Sequence, residues 1–216
     1  MLVESVDRLF VSVRSKPLFL RLTLFTRILL AAGFVPTGMV KMLGQRFTLM
    51  PVETPIGAFF EAMYQTGLYW QFLGAAQVVA GLLLLVPRWA HLGALFFMPI
   101  MLNIFVVTVS LGFKGTPVVT GLMLLAVTCL CAWDYHRFRG IFTNRPWPAE
   151  RTVPHPKLDW LERIGFAAFA VSLLAVFGVT RSLVSPAWIR SFIIVGVVAG
   201  LFTLVRFLTV GRRLTV

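Results

Sequence analysis

Residues 68–86 read LYWQFLGAAQVVAGLLLLV, a run without a charged side chain. Wound as an α-helix it extends ~28 Å at 1.5 Å per residue, close to the ~30 Å hydrocarbon thickness of a bilayer. Working outward, five further stretches share this character: Leu22–Leu43, Leu92–Phe113, Pro117–Trp133, Ile164–Thr180 and Trp188–Val210. None of the six contains Asp or Glu. A chain that is 58% hydrophobic and 13% charged, with mean hydropathy +0.87, carries more apolar surface than one soluble core can hide. The pattern predicts an all-α membrane protein with six spans, a four-helix transmembrane bundle followed by a C-terminal transmembrane hairpin.

Six crossings place alternate connections on opposite sides of the membrane. Lys41, Arg46, Lys114, Arg181 and Arg190 fall on one side and Arg27 falls within the first span; the remaining fourteen of the 20 Lys and Arg residues fall on the side of the termini. Positive residues accumulate in the cytoplasm, so both termini are expected there. Trp70, Trp89, Trp133 and Trp188 sit near span ends, where an indole prefers the headgroup layer. The net charge of +12 is spread along these edges, without the compact basic face or stacking aromatics that nucleic-acid binding uses. The bilayer's anionic headgroups, not nucleic acid, are the expected counterions.

Four regions follow. Residues 1–21 form an N-terminal interfacial segment, because Glu4, Asp7, Arg8, Arg14 and Lys16 interrupt any signal-peptide run and no small-residue cleavage site follows. Residues 22–138 make the four-helix bundle. Residues 139–163 are a cytoplasmic linker with Pro146, Pro148, Pro154 and Pro156, and residues 164–216 are the two-helix hairpin with its basic tail. In the first outer loop, Gly44–Gly67, the residues Ile56, Phe59, Phe60, Met63 and Tyr64 recur at helical spacing after Pro55, which predicts a short amphipathic helix on the outer mouth of the bundle. Gly196 and Gly200 offer a small-residue face to the bundle or to a second copy of the chain, making a homo-oligomer one expected assembly.

Five polar residues within or at the edge of the spans are the candidates for ligand binding: Arg27, Lys41, Gln77, Asn103 and Thr128. Counted in from the span ends, Gln77 and Asn103 come near mid-bilayer on antiparallel helices, close enough to touch, with Thr128 slightly nearer the cytoplasm. Pro36 frees a backbone carbonyl in the first span, and Pro99 bends the third about one turn from Asn103. This polar layer has two readings: hydrogen bonds that fix helix register, at roughly 0.6 kcal/mol per contact, or recognition of a quinone carbonyl or another small apolar ligand. Arg27 either snorkels to the cytoplasmic headgroups or faces inward against a partner such as Asp134 or an anionic ligand. Lys41 either stays solvated at the outer edge or pairs with Glu53 or Glu61.

Cys129 and Cys131 lie two apart on a helix, with side chains ~200° apart, so they cannot share a disulfide or a metal. His91, His136 and His155 lie at or beyond the membrane edges without ligand-like spacing. No metal is expected.

Several stretches carry a resemblance. Gly67–Leu68–Tyr69, the run from Gly74 through Gln77 and Gly81 to Leu85, Pro99–Ile100–Met101–Leu102–Asn103–Ile104, Arg27, Gly38 with Lys41, and Ala132–Trp133 with Tyr135 together resemble the DoxX/DoxD-like membrane family over about Arg27–Phe138. The resemblance implies a four-helix bundle in the bacterial cytoplasmic (inner) membrane, and some members are small subunits of quinone-linked sulfur oxidoreductases, while distant animal relatives assist receptor assembly. Where many relatives place Glu in the second span this chain has Gln77, which removes a proton-carrying carboxylate.

Three functions are therefore in view. The first is an accessory subunit of a redox system, with quinone as the cofactor and a membrane or redox protein as partner. The second is a non-enzymatic assembly or envelope-integrity factor. A transporter comes last, because interior ionisable residues and paired broken helices are missing from the pattern. Six lipid-threading helices predict that the protein stays in the membrane pellet after an alkaline carbonate or high-salt wash; release by either wash contradicts the reading.

Overall fold

The computed structural model describes residues 2–154 and 157–211. His155, Pro156, Arg212 and Arg213, which the sequence reading assigned to the linker and the basic tail, lie outside the described residues. Among those described the secondary structure is entirely helical: α1 Leu2–Arg14, α2 Pro17–Met42, α3 Pro55–Gln65, α4 Leu68–Leu85, α5 Ala90–Ser110, α6 Thr116–Trp133, α7 Tyr135–Thr143, α8 Trp160–Thr180 and α9 Ile189–Arg206. Six of them are long and apolar enough to cross a bilayer: α2, α4, α5, α6, α8, and α9 with its flanking turns. This is an all-α integral membrane protein.

α2 starts at Pro17, earlier than the sequence reading placed it, and takes in Arg21. Proline at the first helical position needs no amide partner, and the charge of Arg21 is neutralised inside the protein. Its Nε and Nη2 each donate to Glu162 at 2.8 Å, a buried bidentate pair between α2 and α8. Glu162 also accepts from the backbone N–H of Asp159, closing a capping box at the start of α8. One carboxylate thus fixes where α8 begins and which way it leans on α2.

The spans pack through small residues. α2 lies against α4, α4 against α5, and α5 against α6, while α8 and α9 form a hairpin that leans on α2. A Cβ on Gly38 would sit 2.8 Å from the Gly74 carbonyl oxygen, and one on Gly81 would sit 2.6 Å from Val35 Cγ2. Only glycine permits this approach. Below the crossing Leu30, Phe34, Ala80, Leu84, Ala94, Phe97, Met101, Val127 and Leu130 form the core, with Phe34 and Phe97 edge to face at 4.7 Å. In the hairpin Gly196 packs on Ser172 and Gly200 on Phe169, so this face is occupied within the chain.

α1 and the linker are not loosely attached. Asp7 is buried and accepts from Arg139 Nε and Nη2, each at 3.1 Å, from Arg151 at 3.3 Å and from the Tyr135 hydroxyl at 3.4 Å. Phe10 packs beside Tyr135, His136 and Trp147. The N-terminal segment is therefore clamped to α7 and to the proline-rich stretch.

Removing one partner of a buried bidentate pair leaves the other charge uncompensated, at a cost of about 3–5 kcal/mol. Glu162→Ala is expected to destabilise the protein by that amount in detergent unfolding, and Glu162→Gln by less, because the amide still accepts one hydrogen bond from Arg21.

Candidate functional site

The end of the bundle carrying α3 holds a cavity of about 560 Å³. Its walls come from one face each of α2 (Gly33, Phe34, Thr37, Lys41), α4 (Trp70, Leu73, Ala76, Gln77), α5 (Pro99, Ile100, Asn103, Ile104, Val107) and α6 (Thr116, Thr120, Met123), and its cover from Phe47, Phe59, Phe60 and Met63. The spacing of the lining residues is that of helix faces. Tyr69 and Asn103, both exposed, mark where the cavity opens.

The cover folds for local reasons. Thr54 accepts the Gly57 N–H at 3.0 Å as N-cap of α3, Pro55 takes the first position, and Gly57 lies against the Pro51 backbone where a Cβ would collide. Phe60 contacts Phe47, Phe59 and Phe113, so α3, its leading loop and the end of α5 meet in one aromatic cluster. Arg46 pins α3 from outside, donating to both Glu61 oxygens at 3.0 and 2.9 Å, while Gln65 donates to the same carboxylate at 2.7 Å. These hydrogen bonds, Arg46 first, hold the Glu61 carboxyl down at about 2.

The five candidates fare differently. Lys41 is buried, donates to Gln77 Oε1 at 3.1 Å and faces the rings of Phe47 and Trp70 at 4.8 and 5.2 Å. Neither solvation nor Glu53 nor Glu61 is its partner; Glu61 belongs to Arg46, and the Gly38–Gly74 crossing draws Lys41 inward against Gln77. Gln77 is buried and Asn103 lines the same cavity, yet no hydrogen bond joins them. Among the described residues Asn103 has no hydrogen-bond partner. Thr128 is corrected outright: it is exposed and donates to Leu124 O of its own helix at 2.9 Å. Val127 and Leu130 define the inward face of α6, and one residue of rotation, ~100°, carries Thr128 off it. The polar groups α6 does send to the cavity are Thr116 and Thr120; the Thr120 hydroxyl lies 2.9 Å from that of Thr108 on α5.

Arg27 belongs to the opposite end and takes no part in the cavity. It is buried, its Nη2 donates to Asp134 Oδ2 at 3.0 Å, and Arg14 shares that carboxylate at 3.6 Å while donating to the Trp133 carbonyl. The inward alternative with Asp134 is the one realised, and snorkelling is not.

No family model matches the chain, and no solved structure matches it. The chain is 33% identical over 127 residues to the uncharacterised protein YwoB of Bacillus subtilis (strain 168), a stretch covering 56% of this chain and 81% of YwoB. The chain belongs to the YwoB family. YwoB is the shorter protein, so part of the present chain has no counterpart in the match.

With its pKa held near 2 against an ordinary 4.5, Glu61 contributes stability to the α3 cover that is present above pH 4.5 and is lost as pH falls toward 2. The protection of the α3 amides, taken relative to the intrinsic exchange rate at each pH, is expected to fall across that window. Glu61→Gln should flatten the dependence; an unchanged pH profile in the variant would show that the Arg46–Glu61 pair does not hold the cover.

Proposed function

We propose that this chain is a non-catalytic component of the bacterial inner membrane that holds a membrane-soluble amphiphile inside its bundle, with α2 and α4–α6 as the DoxX-like unit, α8–α9 as an added hairpin, and both termini in the cytoplasm. The observation that carries the reading is the cavity: apolar walls from four spans converge on Lys41, Gln77 and Asn103. A mostly apolar pocket of ~300–1,000 Å³ with a few convergent polar groups is what small-molecule sites look like.

The resemblance names quinone as the ligand to test, and the residues suit one. The Lys41 ammonium and the Asn103 amide are donors for a ring carbonyl, and the aromatic cover suits a flat ring. A quinone held there would pass electrons to or from a partner protein, which makes the chain an accessory subunit of a redox system. The reading as an assembly factor draws on a different feature, the buried ion pairs at the other end that tie α1 to α7, α2 to α8, and α2 to Asp134 between α6 and α7. Such a clamp stabilises without needing a ligand.

Purification in mild detergent, followed by absorbance and mass spectrometry of the extract, separates the two. A binding component yields a retained amphiphile, and Asn103→Leu reduces a quinone's retention severalfold while the protein stays folded. Gln77→Leu, which strips Lys41 of its hydrogen bond, is expected to do the same. Preparations that never retain any amphiphile favour the assembly reading.

A further inference from the structure

We infer that the polar end of the cavity is a site for one acidic lipid, its phosphate held by Lys41 and its hydrocarbon lying between α2, α4, α5 and α6. This rests on the binding reading above and names the chemical class of the occupant.

The argument begins with charge. Among the described residues five cations are buried: Arg14, Arg21, Arg27, Arg139 and Lys41. Each of the four arginines has a carboxylate, Arg14 and Arg27 from Asp134, Arg21 from Glu162 and Arg139 from Asp7. Lys41 has none among the described residues. Its one hydrogen bond goes to a neutral amide, and the rings of Phe47 and Trp70 orient an ammonium without neutralising it. A second cation shares the same ring: Arg181, at the end of α8, stands 4.7 Å from the Phe47 centroid, donates to Phe47 O at 3.4 Å and also lacks a carboxylate among the described residues. Two like charges thus flank the Phe47 ring, which lines the cavity, and among the described residues no carboxylate pairs with either. Burying a cation without a counterion is costly enough that such groups are normally paired.

Position and shape then restrict the anion. Lys41 lies at the last turn of α2, the end of a helix long enough to cross a bilayer, and from Lys41 to Gly33 the cavity follows α2 for eight residues, about 12 Å. A soluble phosphate would satisfy the charge and leave the apolar length unfilled. A quinone would fill the length and leave the charge uncompensated. A lipid with a phosphate head answers both requirements.

The test uses the full chain in detergent, exposed to equal amounts of phosphatidylglycerol and phosphatidylcholine with the same acyl chains, with retained lipid read by native mass spectrometry. Wild type is expected to keep one phosphatidylglycerol with about tenfold preference, the scale of one hydrogen bond to a charged group. Lys41→Arg keeps the preference and Lys41→Met brings it to parity. Lipid-free Lys41→Met melts no lower than wild type, because a buried unpaired charge has been removed. Arg181→Gln, at a half-buried position outside the bundle, lowers the preference and serves as the probe should Lys41→Met fail to fold. Equal retention of both lipids by wild type, or an unchanged preference in both Lys41→Met and Arg181→Gln, overturns the inference. Retention of a quinone in place of phosphatidylglycerol overturns the lipid and leaves the cavity reading standing. If Ile100→Trp, which fills the cavity, alters the retention of neither ligand, both fail.

Discussion

The α3 end of the molecule depends on two missing side chains. With hydrogen at residues 38 and 74, the backbones of α2 and α4 cross in contact, and Lys41, one turn beyond Gly38, is carried into the bundle beside Gln77. A wider crossing would leave Lys41 at the headgroups like any other edge cation. The space between this tightly packed pair and the faces of α5 and α6 is roofed by α3 and its phenylalanines. A cavity with a cation at its rim follows from helix packing before any ligand is considered.

The opposite end solves the charge problem in the other way. There the chain brings carboxylates from far along the sequence to every buried arginine: Asp134 to Arg27, Glu162 to Arg21, Asp7 to Arg139. Charged pairs in a low-dielectric setting contribute little net stability relative to apolar packing, but they tolerate no substitute geometry, so they fix which helix meets which. At one end each buried arginine thus has a carboxylate, and at the other, among the described residues, the buried Lys41 has none.

What the sequence disclosed follows the same division. Spans were legible because length and hydropathy are local properties, and α3 was legible because Pro55 and the phenylalanine spacing are local too. Asp134 was nameable as a partner for Arg27 because both sit at the same end of neighbouring spans. The other long-range pairs were not legible: Asp7 and Arg139 are 132 residues apart, and no periodicity joins them. Thr128 was misplaced for a different reason. α6 is apolar on all sides, so its sequence carries no signal for which face turns inward, and a polar residue on it gives depth without direction. Lys41 defeated the pattern because the deciding residues, Gly38 and Gly74, act through what they lack.

A buried Lys41 without a carboxylate among the described residues also bears on the choice between ligand binding and scaffolding. A protein whose task is only to hold helices together gains nothing from a buried ammonium that its own fold does not neutralise, and selection for stability alone would replace it with an apolar side chain of similar length. The chain shows elsewhere that it can supply a carboxylate where a buried cation requires one. Leaving Lys41 beside a neutral amide, at the edge of space that four helices keep clear, makes sense if the missing charge arrives with a molecule from the surrounding bilayer.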